Sequence, residues 1–203
     1  MMNDDKRMIP RIHGVGYLGL KHRVNGIGNK RTKQYNAWVN MLTRCYSERY
    51  LKEHPTYSGC NVSKLFECYS DFYDWCESQI GFGEFGFQLD KDLLIKGNKL
   101  YSENTCVFIP QEINKIFTKR NNLRGDLPIG VYYNDDMRKF SATVNLNTGK
   151  PVRIGFYNTE VEAFNAYKEV KEEHIKNMAD KWKGKIDERA YNALMNYKVE
   201  ITD

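Results

Sequence analysis

What the chain lacks narrows its class. No run of apolar residues approaches the roughly 20 needed to cross a bilayer, and the opening MMNDDKRMIP has no apolar segment of the secretory kind. A soluble, intracellular protein without a membrane partner is therefore expected. There is no internal repeat and no low-complexity tract, which argues against solenoids and disordered arrays. The cysteines number five and include no C-x-x-C pair. An odd set without paired spacing argues against a disulfide framework and for free thiols or metal ligands in a reducing compartment. What is present is a chain of 203 residues, 41% hydrophobic, with a formal charge of +5. That is enough apolar matter for a core, a length suited to one or two small domains, and a basic balance that favours a polyanionic partner.

The most informative stretch runs from Gly130 to Tyr167. Phe140, Ala142 and Val144 share one face of a strand; Lys139, Ser141, Thr143 and Asn145 share the other. Asn147-Thr148-Gly149-Lys150 reads as a turn, and Val152 to Phe156 as the next strand, with Arg153 on the polar face. Thr159 and Glu162 stand at capping-box spacing, so a helix starts there. Ala163, Ala166, Tyr167, Val170 and His174 then recur at helical period, and the two small alanines let the helix sit close to the sheet. The expectation is a three-stranded sheet with a helix on one face and polar, cationic side chains on the other. Such a surface suits a DNA groove; an ordinary sheet-plus-helix module with a solvated face is the alternative.

Upstream, residues 1–33 are basic and rich in turns. Lys21, Arg23, Lys30, Arg31 and Lys33 form a cationic cluster, either simply solvated or set against phosphates. Tyr35, Trp38, Met41, Leu42, Cys45 and Tyr46 recur at helical spacing. So do Phe66, Tyr69, Phe72, Tyr73, Cys76 and Ile80. These stripes predict two helices whose aromatics form a core rather than base-stacking platforms. A strand from Phe87 to Leu94, a polar loop from Ile95 to Lys99, a second strand within Tyr101 to Pro110 and a helix from Glu112 follow. Carboxylates and asparagines collect at the joints, where they can converge on one cation. The polar segment from Lys119 to Asp126 separates this part from the sheet module. The predicted organisation is a domain over 1–118, a linker over 119–126 and a second domain over 127–203. The last domain ends in a helix after Asp187 that places Ala190, Leu194 and Tyr197 on one face.

Two families are similar to these segments. Gly130-Val131, Lys139 to Ala142, Ile154-Gly155, Tyr157 to Thr159, Glu162-Ala163 and Ala166-Tyr167 resemble the Apetala-two, or ethylene-response-factor, DNA-binding domain. That resemblance implies a sheet entering the major groove, with Tyr132, Asn134, Lys139, Ser141, Thr143, Asn145 and Arg153 facing double-stranded DNA. Leu89 to Asp92, Gly97-Asn98-Lys99, Thr105 to Ile109 and Asn114 resemble the HNH motif of phage homing endonucleases. Trp38 to Tyr46, as W-x-x-M-x-x-R-C-Y, and Tyr57 to Cys60 extend the likeness upstream. Together the two resemblances cover most of the chain and imply an α+β protein with a helical, ββα N-terminal domain.

The HNH resemblance implies hydrolysis of DNA phosphodiester bonds with Mg²⁺ or Mn²⁺ in the cytoplasm of a phage-infected cell. Asp90, Lys91, Asp92 and Asn104 would be catalytic, and Asp90 and Asn114 would hold the metal. The departure lies at Lys91, which stands where the family has its catalytic histidine. A lysine near its ordinary pKa is a poor base at neutral pH. A scaffold that binds DNA, or a host protein, without cutting is therefore the alternative. Cys45, Cys60 and Cys106 are candidates for a structural Zn²⁺ site, with buried thiols packed beside aromatics as the competing and preferred reading.

Overall fold

The computed structural model describes residues 4–117, 126–147 and 149–202. It is an α+β protein that divides into two compact units, Met1–Ile109 and Pro110–Asp203. The division falls before the helix opened by Gln111, so that helix counts with the C-terminal unit rather than with residues 1–118. The expected linker lies outside the described residues except for Asp126, as does Thr148 of the expected turn. Among the described residues no helix is long and apolar enough to cross a membrane.

In the N-terminal unit a short α1 (Asp4–Arg7) leads into irregular chain. The Arg7 guanidinium ties that chain together by donating to the carbonyls of Gly19 and His22. Helix α2 (Lys33–Tyr46) starts at Thr32, whose hydroxyl accepts from the Tyr35 amide and satisfies one of the unpaired donors of the first turn. It buries Trp38, Met41, Leu42 and Cys45, as the stripe requires. Helix α3 (Glu48–Glu53) and strand β1 (Asn61–Val62) follow.

The second aromatic stripe is not one helix. It is split into α4 (Lys64–Glu67) and α5 (Tyr69–Ser78) by Cys68, whose backbone is extended. The cause comes from far upstream. Tyr17 pairs with Cys68 like a strand, its amide donating to the Glu67 carbonyl at 3.0 Å and its carbonyl accepting from the Tyr69 amide at 2.8 Å. Ile80 falls beyond α5 and is exposed. The stripes still meet as a core. Trp38 is fully buried, donates its indole N–H to the Phe66 carbonyl at 2.7 Å and packs on Tyr69. Each large side chain so buried stabilises the fold by about 1.5–3 kcal/mol.

Strands β2 (Phe87–Asp90), β3 (Leu100–Tyr101) and β4 (Val107–Pro110) complete the unit. β1 pairs in parallel with β3, and β2 pairs with β4. The run from Tyr101 to Pro110 is therefore two strands. Ser102 and Thr105, with hydroxyls 2.8 Å apart, close a turn between them, and the Cys106 amide donates to the Ser102 carbonyl at 2.9 Å.

In the C-terminal unit α6 (Gln111–Ile116) precedes β5 (Val131–Asn134), β6 (Lys139–Val144) and β7 (Val152–Tyr157). These three strands form one antiparallel sheet in the order β5-β6-β7. Helix α7 (Glu160–Lys181) starts on the expected capping box of Thr159 and Glu162, and buries Ala163 and Tyr167. Gly130, at φ +77°, lies so close to the Tyr167 ring that a Cβ there would stand 2.1 Å from it. Helix α8 (Glu188–Met195) buries Ala190 and Leu194; Tyr197 follows its end and meets Phe117. α6 is fastened to α7. The buried Lys171 ammonium donates to the Ile116 carbonyl at 2.9 Å, and Glu112 accepts from Lys181 at 2.8 Å and from the Trp182 indole. Burial pushes the Glu112 carboxyl up, but these donors outweigh it and hold the group below its ordinary value.

Candidate functional site

Asp90, Lys91 and Asp92 gather where β2 ends. Asp90 terminates the strand itself, because its Oδ1 accepts from the amides of Asp92 and Leu93 at 2.9 and 2.7 Å. That side-chain turn replaces the ladder and stops the strand short of Leu94. Burial pushes the Asp90 carboxyl up, with the Leu93 amide acting in the opposite direction.

Lys91 is 6% exposed and is the centre of the corner. Its ammonium donates to the Asn98 carbonyl at 2.7 Å and to the Asp92 carboxylate, and lies 5.7 Å from the centre of the Tyr101 ring. Asn98 closes the loop around it. Its Nδ2 donates to the carbonyls of Lys91 and Leu100 at 2.8 and 2.7 Å, and its Oδ1 accepts from the Leu100 amide at 3.0 Å. Asn98 is thus a residue that orients the loop, whereas Asn104 is exposed on the turn between β3 and β4. Arg44 of α2 reaches the same place, hydrogen-bonded to Tyr101 and 5.8 Å from the centre of the Tyr57 ring.

A buried ammonium held by a carboxylate, a carbonyl and an aromatic face is a satisfied cation. A catalytic amine has to be neutral and reach the reacting proton; the Lys91 ammonium donates instead to Asp92 and to the Asn98 carbonyl of the loop. One Asp90 oxygen accepts from two amides, and Asp92 holds the ammonium. Among the described residues no three His, Cys, Asp or Glu side chains gather in a metal-binding group. Asn114, the other expected ligand, is half-buried on α6 in the C-terminal unit.

Three histidines of the N-terminal unit are engaged outside this corner. His22 pairs with Asp74 at 2.6 Å and stacks on Tyr73, His13 meets the Thr43 hydroxyl at 3.2 Å, and His54 packs on Tyr50. Cys45, Cys60 and Cys106 are buried free thiols. Burial raises Cys45 and Cys106 to about 12, so both carry their proton and pack as apolar groups. Cys45 lies near Cys60, and Cys106 near Cys76.

The C-terminal sheet presents a second site on the face opposite α7. Tyr132, Ser141 and Phe156 form one cross-strand row, Asn134 and Lys139 another, and Thr143 and Arg153 a third. Tyr132, Lys139 and Arg153 are exposed and Thr143 is half-exposed. Three of the expected contact residues also serve the fold. Ser141 is only 7% exposed, because its short side chain sits between the larger Tyr132 and Phe156. Asn134 spends its Oδ1 on the Met137 amide, and Asn145 on the Asn147 amide, so both shape hairpins. Phe156 is the residue that alternation misses. Strict period two puts it on the face away from Arg153, but a register shift at Ala142/Thr143 brings both to the same face, with the guanidinium 5.0 Å from the ring centre.

No family model, curated protein or solved structure matches the chain.

Proposed function

We propose that the protein binds double-stranded DNA through the α7-free face of the β5-β6-β7 sheet, with the HNH-like N-terminal unit as a scaffold rather than a hydrolytic centre. One observation carries this reading: Tyr132, Lys139, Thr143 and Arg153 lie across three paired strands on one face, with Phe156 beside the arginine. Two cations give phosphate contact or guanine readout, and the Tyr132 hydroxyl adds a donor. The paucity of arginine favours anchoring and orientation over reading many bases. The resemblance to the Apetala-two domain, whose sheet enters the major groove, supports the same assignment. The test is fluorescence anisotropy with labelled duplex over a salt series. Arg153→Ala should weaken binding and reduce the slope of log affinity against log salt by about one. An unaltered slope would remove Arg153 from the interface.

A second reading, divalent-metal-dependent cleavage, draws on the order β2, polar loop, β4, α6 with Asp90 at the end of its first strand. It requires nicking of plasmid in Mg²⁺ or Mn²⁺ that disappears in Asp90→Ala and in Asn114→Ala. Intact plasmid alongside tight duplex binding by the wild type would dismiss it.

A further inference from the structure

An open cleft of about 520 Å³ runs between α2 and the loop that leads into β2, wholly within the N-terminal unit. One wall is a polar stripe of α2. Lys33, Asn36, Asn40 and Arg44 recur at steps of three and four, and so share a helix face. The opposite wall carries Phe82, Phe85 and Phe87. The loop is a defined structure. The Glu84 amide donates to the Gly81 carbonyl and the Phe87 amide to the Glu84 carbonyl, each at 3.3 Å, and the Lys33 ammonium pins the Gly83 carbonyl at 2.7 Å. Gly83 and Gly86, at φ +78° and +81°, turn the chain so that the Phe85 ring is held fully out in solvent. A phenylalanine there adds nothing to the core and leaves its whole apolar surface in water.

We propose that this cleft binds an unpaired strand of DNA laid along α2. Phe85 stacks on a base, Asn36 and Asn40 offer paired donors and acceptors to base edges, and the exposed Lys33, whose ammonium has donors beyond the one given to Gly83, meets a phosphate, while Arg44, held by Tyr101, adds positive charge at the far end of the cleft. Charge favours this occupant: the lining holds two cations and one carboxylate, Glu84. So does length, since at 1.5 Å per residue the stripe from Lys33 to Arg44 extends for about 16 Å, more than a lone base needs. A peptide helix would require a continuous apolar seam, and α2 instead presents an amide or a cation at every turn of this face. The cleft also leads somewhere. Leu89 lines it and precedes Asp90 on β2, and Arg44 joins it to the Lys91 corner through Tyr101. The assignment rests on the DNA-binding reading but uses residues in the other unit.

The experiment is anisotropy on the full chain with a labelled oligothymidylate, a labelled duplex, and thymidine monophosphate as competitor. Phe85→Ser and Asn40→Asp alter exposed positions, so folding should persist, checked by thermal melting. Each should weaken oligothymidylate binding about tenfold or more, with duplex affinity unchanged. Strand affinity unchanged in both variants overturns the proposal and turns the cleft toward a peptide ligand. Displacement by the mononucleotide as efficient as by the strand overturns it in favour of a free nucleotide. Duplex binding without strand binding in the wild type defeats this inference alone; binding of neither defeats the DNA-binding reading as well.

Discussion

Replacing Lys91 by methionine separates a structural ammonium from a catalytic one. Methionine keeps the apolar stem over Tyr101 and removes the head group. The Asn98 carbonyl then loses its donor in a buried corner, a loss of about 1–3 kcal/mol. The Asp92 side chain is 52% exposed, so its carboxylate returns to water and adds at most about 1 kcal/mol. Removing a buried charge offsets part of this, because the ammonium no longer has to be desolvated. A net loss of about 1–3 kcal/mol remains, which at about 2–4 °C per kcal/mol lowers the melting temperature by about 2–12 °C. The assay is thermal unfolding followed by tryptophan fluorescence, with duplex affinity measured on the same samples. The expected result is a lower melting temperature and an affinity within about twofold of wild type, a change smaller than about 0.5 kcal/mol. A variant that melts within about 1 °C of wild type would refute the reasoning, because a structural ammonium cannot be removed for nothing.

Two further expectations concern the C-terminal unit. Lys171 is buried, and burial lowers its pKa from its ordinary 10.5 to about 8. Below both values the lysine is charged in either state and the cost of burying it is fully present. Between them the unfolded chain holds more protons, so stability rises with pH across that window, by about 3 kcal/mol in total. Urea unfolding of wild type against Lys171→Met from pH 7 to 10.5 should show the wild type gaining on the variant; parallel curves would contradict this. Gly130→Ala forces a side chain into a positive-φ position and against the Tyr167 ring, and should cost about 2–4 kcal/mol. A neutral outcome in a denaturant titration would mean that α7 does not seat on the sheet as described.

Much of the secondary structure was legible wherever a short-range period controlled it. The capping box at Thr159 and Glu162, the α2 stripe from Trp38 to Cys45 and the alternation through Lys139 to Val144 each depend on neighbours within one or two turns or on the next strand residue. The failures lie where a distant contact intervened. Nothing between Phe66 and Cys76 announces that Tyr17 will pair at Cys68 and split the helix. Ser102 and Thr105 read as strand residues until their hydroxyls are seen to close a turn. Alternation puts Ser141 on the right side of the sheet but cannot say how deep it lies below Tyr132 and Phe156.

The candidate site divides in the same way. That Asp90, Lys91 and Asp92 would sit together follows from their being consecutive, and that Arg153 would share the polar face follows from period two. What Lys91 does depended on Asn98, Tyr101 and Asp92 closing around its ammonium, and what accompanies Arg153 depended on a register shift that no periodicity encodes. Sequence alone determined the α+β class, the capped α7 and the identity of the charged groups, because propensity, capping and alternation act over a few residues. Only the tertiary structure decided which of those groups face solvent and which are spent on the fold, because burial and hydrogen-bond partners are properties of segments brought together from far apart in the chain.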